Sequence, residues 1–146
     1  MTSYTSNITI RWADLDPNFH VLHSKYYDFG AFCRMEFFTT HGITVEQMKK
    51  HHIGPIIFRE ECFFKRELSF GDAVTITLTI DAATKDYRKW SLRHELFKNG
   101  DTLAALINVD GSWMDQIARK VVAPPAEFID SFEAIPKSQE FKILAP

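Results

Sequence analysis

The fold is decided by the stretch Ser24-Lys-Tyr-Tyr-Asp-Phe-Gly-Ala-Phe-Cys-Arg-Met-Glu-Phe-Phe-Thr-Thr-His41. At a helical advance of about 100° per residue, its polar side chains fall on one narrow arc. That arc consists of Lys25, Asp28, Glu36, Thr39 and Thr40. The pattern predicts a helix over residues 24–41 that ends before Gly42. Because the apolar surface is too wide for a helix lying on the outside of a protein, we expect a sheet to cover it on most sides.

Two residues inside this predicted helix are unusual for their position. Gly30 lowers helix stability, and close packing of the backbone would account for its presence. Arg34 lies opposite the polar arc among apolar neighbours, where a charge needs a partner. We therefore expect Arg34 to form a structural ion pair or to lie in a dimer interface.

The sequence on both sides of the helix predicts strands. Residues 7–12 alternate and are rich in β-branched side chains, which is typical of a first strand. A short second helix is predicted over residues 44–52, and a terminal helix over residues 126–133. Between them lie four β-type segments, over residues 56–67, 73–82, 89–98 and 102–114. Asn99-Gly100-Asp101, between the last two segments, is a strong hairpin signal.

This order of elements predicts an α+β fold in which one long central helix is wrapped by a curled antiparallel sheet of five or six strands. An exposed edge of such a sheet needs protection, which pairing with a second copy provides. We expect one domain over residues 1–146, with a core of about 7–132. The tail, 133–146, is predicted to be loose, with docking of its apolar residues on a neighbour as the alternative.

Composition narrows the classes of function. The formal net charge of −2 argues against a general nucleic-acid binder, which needs an excess of basic residues. The two cysteines, Cys33 and Cys62, are too few for a disulfide framework, so we expect reduced thiols in a cytoplasmic protein. No apolar run approaches the ~20 residues of a membrane helix, and residues 1–10 lack a signal-peptide core.

The loop before the helix is the candidate site. It reads Trp12-Ala-Asp14-Leu-Asp16-Pro17-Asn18-Phe19-His20-Val-Leu-His23 and places two carboxylates and two imidazoles together. An acid or base, a turn and the N-terminus of a helix therefore meet at one place, which suits acyl transfer. A metal site is the weaker interpretation of the same residues, because no second cluster of ligands supports it, and we expect none.

The motifs of the chain follow a definite order along the sequence. Asp14-Leu-Asp16-Pro17 stands between strand and helix, and His23 follows Asp16 by seven residues. In order and spacing, residues 7–132 resemble the hotdog-fold acyl-CoA thioesterase superfamily, especially the 4-hydroxybenzoyl-CoA thioesterase and YbgC-like branch. Further matching positions are Tyr26, Phe29, Arg34, Glu36, Phe37, Phe64-Lys-Arg66-Glu67-Leu68-Ser-Phe-Gly71-Asp72, Gly100-Asp-Thr-Leu-Ala104 and Asp115–Lys120. Four positions depart from the pattern, namely Trp12 for Tyr, Phe19 for Gly, Leu22 for an aromatic residue and Ala31 for Glu.

The resemblance implies an acyl-CoA thioesterase, which hydrolyses a thioester to a free acid and CoA. It implies that the Asp16 carboxylate attacks the carbonyl carbon or activates water, and that the His23 backbone N–H stabilises the oxyanion. His20 and Tyr26 are candidate supporting residues. Arg88 and Lys89 are the candidates for binding CoA. No cofactor is implied beyond the CoA of the substrate, and the expected assembly is at least a homodimer, with a tetramer formed as a dimer of dimers as the larger alternative.

Plainer interpretations stay open for each residue. Asp16-Pro17 alone is turn chemistry, and His23 alone is a histidine at a helix start that contacts solvent. Arg88 and Lys89 alone are solvated strand ends. Two other functions also stay open, a non-catalytic acyl- or CoA-binding hotdog module and an acyl-thioester hydratase or dehydratase.

Overall fold

The computed structural model describes residues 3–146, which form three α-helices and one seven-stranded sheet. The helices are α1 (Lys25–Thr40), α2 (Val45–His51) and α3 (Ala126–Glu133). The strands are β1 (Tyr4–Ile8), β2 (Ile53–Phe64), β3 (Val74–Ala83), β4 (Lys89–Lys98), β5 (Thr102–Asp115), β6 (Lys120–Val122) and β7 (Lys137–Ile143). No helix within the described range is long and apolar enough to cross a membrane.

The sheet has the order β1-β3-β4-β5-β2, with antiparallel pairing throughout this path. The predicted α+β class and antiparallel sheet are confirmed, and β4 occupies the predicted residues 89–98. The predicted number of strands was wrong, because β6 pairs with β5 and β7 pairs with β3. The first strand ends at Ile8, before the predicted 7–12 segment is complete, because the chain then enters a 3-10 turn at Trp12–Asp14.

The segment predicted to be a loose tail forms the parallel strand β7. β1 pairs with β3 only from Val74 to Leu78, which leaves the rest of that strand's edge unpaired by β1. β7 occupies this remaining edge, and the Ile80 N–H donates to the Pro136 carbonyl at 3.0 Å. An uncovered edge carries free backbone donors and acceptors, so the tail is retained in the sheet by hydrogen bonding that hydropathy does not reveal.

The position of α1 corrects the expectation of a long helix covered on most sides. α1 has 16 residues, and its inner face packs against the sheet through side chains that include Phe29, Cys33 and Phe37. Its outer face is open, and the Phe32 side chain there is 53% exposed. The wide apolar surface that predicted full coverage is therefore partly solvent-accessible in a single chain.

A buried arginine joins α1 to the sheet. The Arg34 Nη1 donates to His94 Nε2 at 3.0 Å, and His94 Nδ1 donates to the Thr77 carbonyl at 2.9 Å. The Arg34 Nη2 lies 3.8 Å from a carboxylate oxygen of Glu60. The expectation that Arg34 has a charged partner is thus confirmed. Burial lowers the pKa of His94 to about 3, so this ring is neutral and can accept from the guanidinium.

Gly30 provides the space for this buried group. A Cβ atom at residue 30 would lie 3.2 Å from both the Arg34 Nη1 and the His94 Cδ2. A side chain at residue 30 would therefore require the Arg34–His94 pair to move by a few tenths of an ångström. The expected reason for a glycine inside the helix, close packing, is confirmed.

We expect acid to destabilise the chain through His94. Its pKa is about 3 in the folded protein against 6.5 as the ordinary value, so the unfolded chain takes up a proton that the folded chain does not. Across that pH window, each unit of acidification removes up to about 1.4 kcal/mol of unfolding free energy. Above the window the ring is neutral in both states and the effect disappears.

A His94→Gln variant provides the comparison, because an amide can donate and accept at the same place without titrating. Urea denaturation across the window should give a steeper loss of stability for the native chain than for the variant. Parallel pH dependences would contradict the assignment of the effect to His94.

Candidate active site

The loop between the 3-10 turn and α1 is hydrogen-bonded to the segment that follows β2. Leu15 forms a bridge with Val21 inside the loop, and His20 forms one with Ser69 outside it. The Val21 N–H donates to the Leu68 carbonyl at 2.8 Å. Two segments that are distant in sequence thus form one small hydrogen-bonded unit, and the loop has a defined shape rather than that of a free connection.

The two carboxylate oxygens of Asp16 have different surroundings. Its Oδ1 accepts the backbone N–H groups of Asn18 at 2.9 Å and His20 at 3.3 Å. Its Oδ2 has no hydrogen-bond partner within residues 3–146, and the residue is half-buried. The predicted turn chemistry is therefore confirmed, and it leaves one carboxylate oxygen open to a ligand.

The N-terminus of α1 lies directly after this loop. Ser24 occupies the N-cap position, and its side chain makes no capping hydrogen bond. The Lys25 N–H donates to the Leu22 carbonyl at 2.9 Å, whereas the His23 N–H finds no acceptor in the described part of the chain. An unpaired backbone donor at the positive end of a helix is suited to binding negative charge.

One cleft of about 310 Å³ brings together four of the predicted site residues. Its lining consists of Asp16, His20, Val21, His23, Tyr26, Phe64, Lys65, Arg66 and Glu67. Tyr26 is buried, and its ring packs edge-to-face against the Phe64 ring at a centroid distance of 4.9 Å. Burial raises the pKa of the Tyr26 hydroxyl, so it stays protonated near neutral pH and can donate a hydrogen bond.

His20 lies at the rim of the same cleft. Its Nε2 is 3.6 Å from a carboxylate oxygen of Glu67, and both side chains are substantially exposed. The backbone of His20 is more firmly held than its side chain, because its N–H donates to Asp16 Oδ1 and its carbonyl accepts from the Asp16 N–H at 2.8 Å. His20 therefore contributes to the shape of the loop through its backbone.

The structure does not bring Arg88 and Lys89 into this cleft. They lie at the turn after the Ala83 end of β3, where the Arg88 Nε is 3.8 Å from a carboxylate oxygen of Asp86. The Asp16 loop is instead tied to residues that precede the Val74 end of that strand. Ten strand residues separate the two ends, which corresponds to about 33 Å.

Lys65 and Arg66 are cleft residues that the sequence did not indicate as site residues. They directly follow β2, and both line the cleft beside Asp16. Their sequence signal was only the resemblance of the segment Phe64-Lys-Arg66-Glu67 to the family pattern. Nothing in the spacing showed that the end of β2 would lie against a loop about 50 residues earlier.

A second and larger cavity, of about 400 Å³, is lined by residues of α1, of the end of β1 and of the segment between them. Its lining includes Phe29, Phe32, Arg11 and Asp14. The buried Asp14 carboxylate accepts from Arg11 Nη2 at 2.9 Å and from the Arg11 backbone N–H at 2.8 Å. Hydrogen bonding to Arg11 lowers the pKa of Asp14, so this first aspartate of the motif is a paired structural group.

Metal binding has no support in the arrangement of side chains. Across residues 3–146 no group of three or more His, Cys, Asp or Glu side chains is placed to hold an ion. The two imidazoles and two carboxylates of the loop do not form one cluster, because the Asp14 carboxylate is paired with Arg11. Asp16 and His23 instead line one cleft together with His20 and Tyr26.

Phe19 holds a backbone conformation that side chains disfavour. Its φ is 64°, in the left-handed region, and its ring is 67% exposed. This is the position at which the resembled family often has glycine, which adopts the conformation without strain. Phe19 therefore holds a backbone conformation that glycine adopts freely, at a cost in free energy.

Comparison with known proteins agrees with the geometry. The chain matches the family described as the thioesterase-like superfamily over residues 10–132. No curated protein sequence matches the chain.

Solved structures share the fold at low sequence identity. A hypothetical protein from Staphylococcus aureus, SAV2348, in complex with CoA has a TM-score of 0.83 and 24% identity, with 99% of this chain and 96% of that chain covered. A 1,4-dihydroxy-2-naphthoyl-CoA thioesterase from Synechocystis has a TM-score of 0.81 and 13% identity, covering 90% and 96%. The DHNA-CoA thioesterase of Staphylococcus aureus has a TM-score of 0.81 and 14% identity, covering 91% and 90%.

We expect Phe19→Gly to leave the chain equally stable or to stabilise it by up to about 1.5 kcal/mol. Relief of the left-handed backbone is worth about 1–2 kcal/mol, and the added freedom of the unfolded glycine offsets about 0.5–1 kcal/mol of this. Phe19→Val should destabilise the chain, because a β-branched side chain tolerates this conformation poorly. Urea denaturation of the two variants measures the difference, and equal stabilities would contradict the argument.

Proposed function

This chain belongs to the thioesterase-like superfamily, and we propose that it is an acyl-CoA thioesterase that hydrolyses a thioester to a free acid and CoA. The observation that carries the proposal is the single cleft that is lined both by Asp16, which has one unbonded carboxylate oxygen, and by His23, whose N–H precedes α1 and is unpaired in the described part of the chain. The CoA complex and the two naphthoyl-CoA thioesterases among the similar structures support the choice of CoA thioesters.

In the proposed reaction, the Asp16 carboxylate either attacks the thioester carbonyl carbon or removes a proton from a water that attacks it. The carbonyl oxygen then gains negative charge, which the His23 N–H and the positive end of α1 stabilise. The carbon–sulfur bond breaks and the sulfur leaves as a thiolate. Since a thiolate is a stable leaving group, the reaction does not need a strong acid beside the sulfur. Water supplies the second oxygen of the free acid on either route.

Tyr26 and His20 have supporting roles in this proposal. The protonated Tyr26 hydroxyl lies in the cleft lining and is available as a hydrogen-bond donor to the substrate. The apolar surface that Tyr26 forms with Phe64 suits the acyl group, because binding there removes the apolar part of that group from water. His20 shapes the turn that presents Asp16, through the two backbone hydrogen bonds that link these residues.

Lys65 and Arg66 are the proposed binding groups for the phosphates of CoA. Both are exposed and line the cleft that contains Asp16. Cationic side chains at the mouth of a cleft attract the phosphates and bind them by charge-assisted hydrogen bonds. Arg88 and Lys89, which the sequence predicted for this task, serve the same cleft only where a second copy of the chain brings them to it.

We propose a homodimer that covers the free edge of β2. This 12-residue strand lies at the end of the sheet order and pairs with β5 on one side. It exposes four large apolar side chains, Ile57, Phe58, Phe63 and Phe64, by 45–55%. A long edge strand with exposed apolar side chains favours association, and a second copy offers the same edge in antiparallel pairing.

Asp16→Asn tests the mechanism, because the amide oxygen can still accept the two turn N–H groups while the open carboxylate oxygen is lost. We expect kcat for acyl-CoA hydrolysis to fall at least about 100-fold, the usual contribution of a positioned base. Thiol release from short, long and aromatic acyl-CoAs measures the rate.

Asp28→Asn is the matched control, because it removes a carboxylate from the exposed face of α1, and its rate should equal that of the native chain. Turnover that Asp16→Asn leaves unchanged would rule out the proposed role of this carboxylate. Tight CoA binding without turnover of any thioester in the native chain would favour the non-catalytic binding module.

The double variant Lys65→Gln/Arg66→Gln tests the phosphate-binding groups. We expect KM for acyl-CoA to rise about tenfold with little change in kcat, because two charge-assisted contacts to the substrate are removed. Lys49→Gln/Lys50→Gln removes the same charge from exposed positions in α2 and should have no effect. An Arg88→Gln/Lys89→Gln variant with the larger rise in KM would instead support the pair predicted from the sequence.

A further inference from the structure

Two aromatic rings near the candidate site are exposed and in contact with each other. Trp12 is 70% exposed and Phe70 is 60% exposed, although tryptophan is largely buried in most proteins. Their ring centroids are 6.4 Å apart, and the ring planes are nearly perpendicular at 78°. The other two tryptophans, Trp90 and Trp113, are only 2% and 0% exposed. An exposed aromatic pair of this kind indicates a contact with a ligand or partner.

Each ring is carried by a segment that also holds the Asp16 loop. Trp12 begins the 3-10 turn that the Arg11–Asp14 pair closes, four residues before Asp16. Phe70 directly follows Ser69, the residue that bridges the loop, and the Ser69 N–H donates to Asp72 Oδ2 at 2.8 Å. The rings therefore sit on hydrogen-bonded segments beside the cleft, although neither ring lines it.

We infer that Trp12 and Phe70 form the binding site for the adenine base of the CoA substrate, an inference that rests on the proposed thioesterase function. A base is a planar ring that stacks on aromatic side chains with little dependence on its hydrogen-bonding edge. Two perpendicular rings form a corner in which a base stacks on one ring and presents its edge to the other. The pair is thus shaped for a flat, water-soluble ring.

Three cationic side chains are carried by, or bonded to, the segment that leads to Phe70, and they suit the phosphates of the same ligand. Lys65 and Arg66 line the cleft, and Lys98 Nζ donates to the Glu67 carbonyl at 2.7 Å, on the segment that leads to Phe70. The thioester end of CoA belongs at Asp16, and its phosphates stand between the thioester arm and the adenine. Asp16, the cations and the aromatic pair are therefore all carried by, or bonded to, the Asp16 loop and the segment that binds it, so one extended ligand can contact all three.

The acyl group is the less suitable occupant of the corner. The rings are majority-exposed and lie outside the cleft, whereas the reacting end of the substrate needs the partly buried space between Tyr26 and Phe64. The corner and the cleft hold different ends of the ligand, and a substrate that lacks adenine separates their contributions.

The test compares one acyl group carried on CoA with the same acyl group carried on pantetheine, which has no nucleotide. With acyl-CoA, we expect Trp12→Ala and Phe70→Ala each to raise KM about tenfold, as loss of a base–aromatic stack would, and to leave kcat unchanged. With acyl-pantetheine, the same variants should behave as the native chain. Trp12→Tyr keeps an aromatic face and should restore most of the affinity. Ile117→Ala, which removes a 72% exposed apolar side chain elsewhere, is the control.

A direct binding measurement keeps this inference separate from the proposed reaction. Trp12 is the exposed tryptophan, so stacking of adenine should quench the exposed part of the fluorescence when CoA is titrated, and pantetheine should not quench it. Phe70→Ala should raise the Kd for CoA in this titration about tenfold.

Each outcome bears on one proposal or the other. Quenching by CoA in a chain that hydrolyses no thioester would keep the adenine site and overturn the thioesterase. Hydrolysis with equal losses on both substrates, or with no loss on either, would overturn the adenine site and leave the thioesterase standing. Absence of both quenching and hydrolysis would overturn both.

Discussion

The buried guanidinium of Arg34 is the constraint on which the arrangement of helix and sheet depends. A charge removed from water must be met by polar groups, and loss of one partner from such a pair typically costs about 3–5 kcal/mol. Arg34 meets His94 in β4 and Glu60 in β2, while His94 in turn bonds to Thr77 in β3. One side chain of α1 thus reaches three strands, and rotation or sliding of α1 would leave this charge without its partners.

The candidate site follows from that placement of α1. The helix begins one residue after Ser24, so the position of α1 on the sheet also sets the position of the unpaired His23 N–H. The Asp16 loop reaches the same place from the other side, because its bridge to Ser69 ties it to the segment between β2 and β3. Two anchors of different kinds, one buried and ionic and one made of backbone hydrogen bonds, therefore converge on one cleft.

Some surface side chains find their partners within the single chain, and others remain exposed without one. On one polar face of the sheet, Arg93 pairs with Asp81 in β3 and with Glu140 in β7, so charges there are met within the chain. The free edge of β2 and the Trp12–Phe70 corner instead expose large apolar side chains. We propose that a second copy of the chain covers the β2 edge and that a ligand covers the Trp12–Phe70 corner.

Features that depend only on neighbouring residues were predictable from the sequence. Helical spacing predicted α1 to within one residue at each end, Asn99-Gly100 predicted the hairpin between β4 and β5, and turn chemistry predicted the shape around Asp16. These features follow from local backbone preferences, so a short window of residues contains their cause. Long-range contacts determine the partners of Arg34, the pairing of β7 with the edge of β3, and the position of Lys65 and Arg66 beside Asp16 in place of Arg88 and Lys89. Each of these joins segments far apart in the chain, and their contacts are determined by strand order and burial, which no local pattern contains.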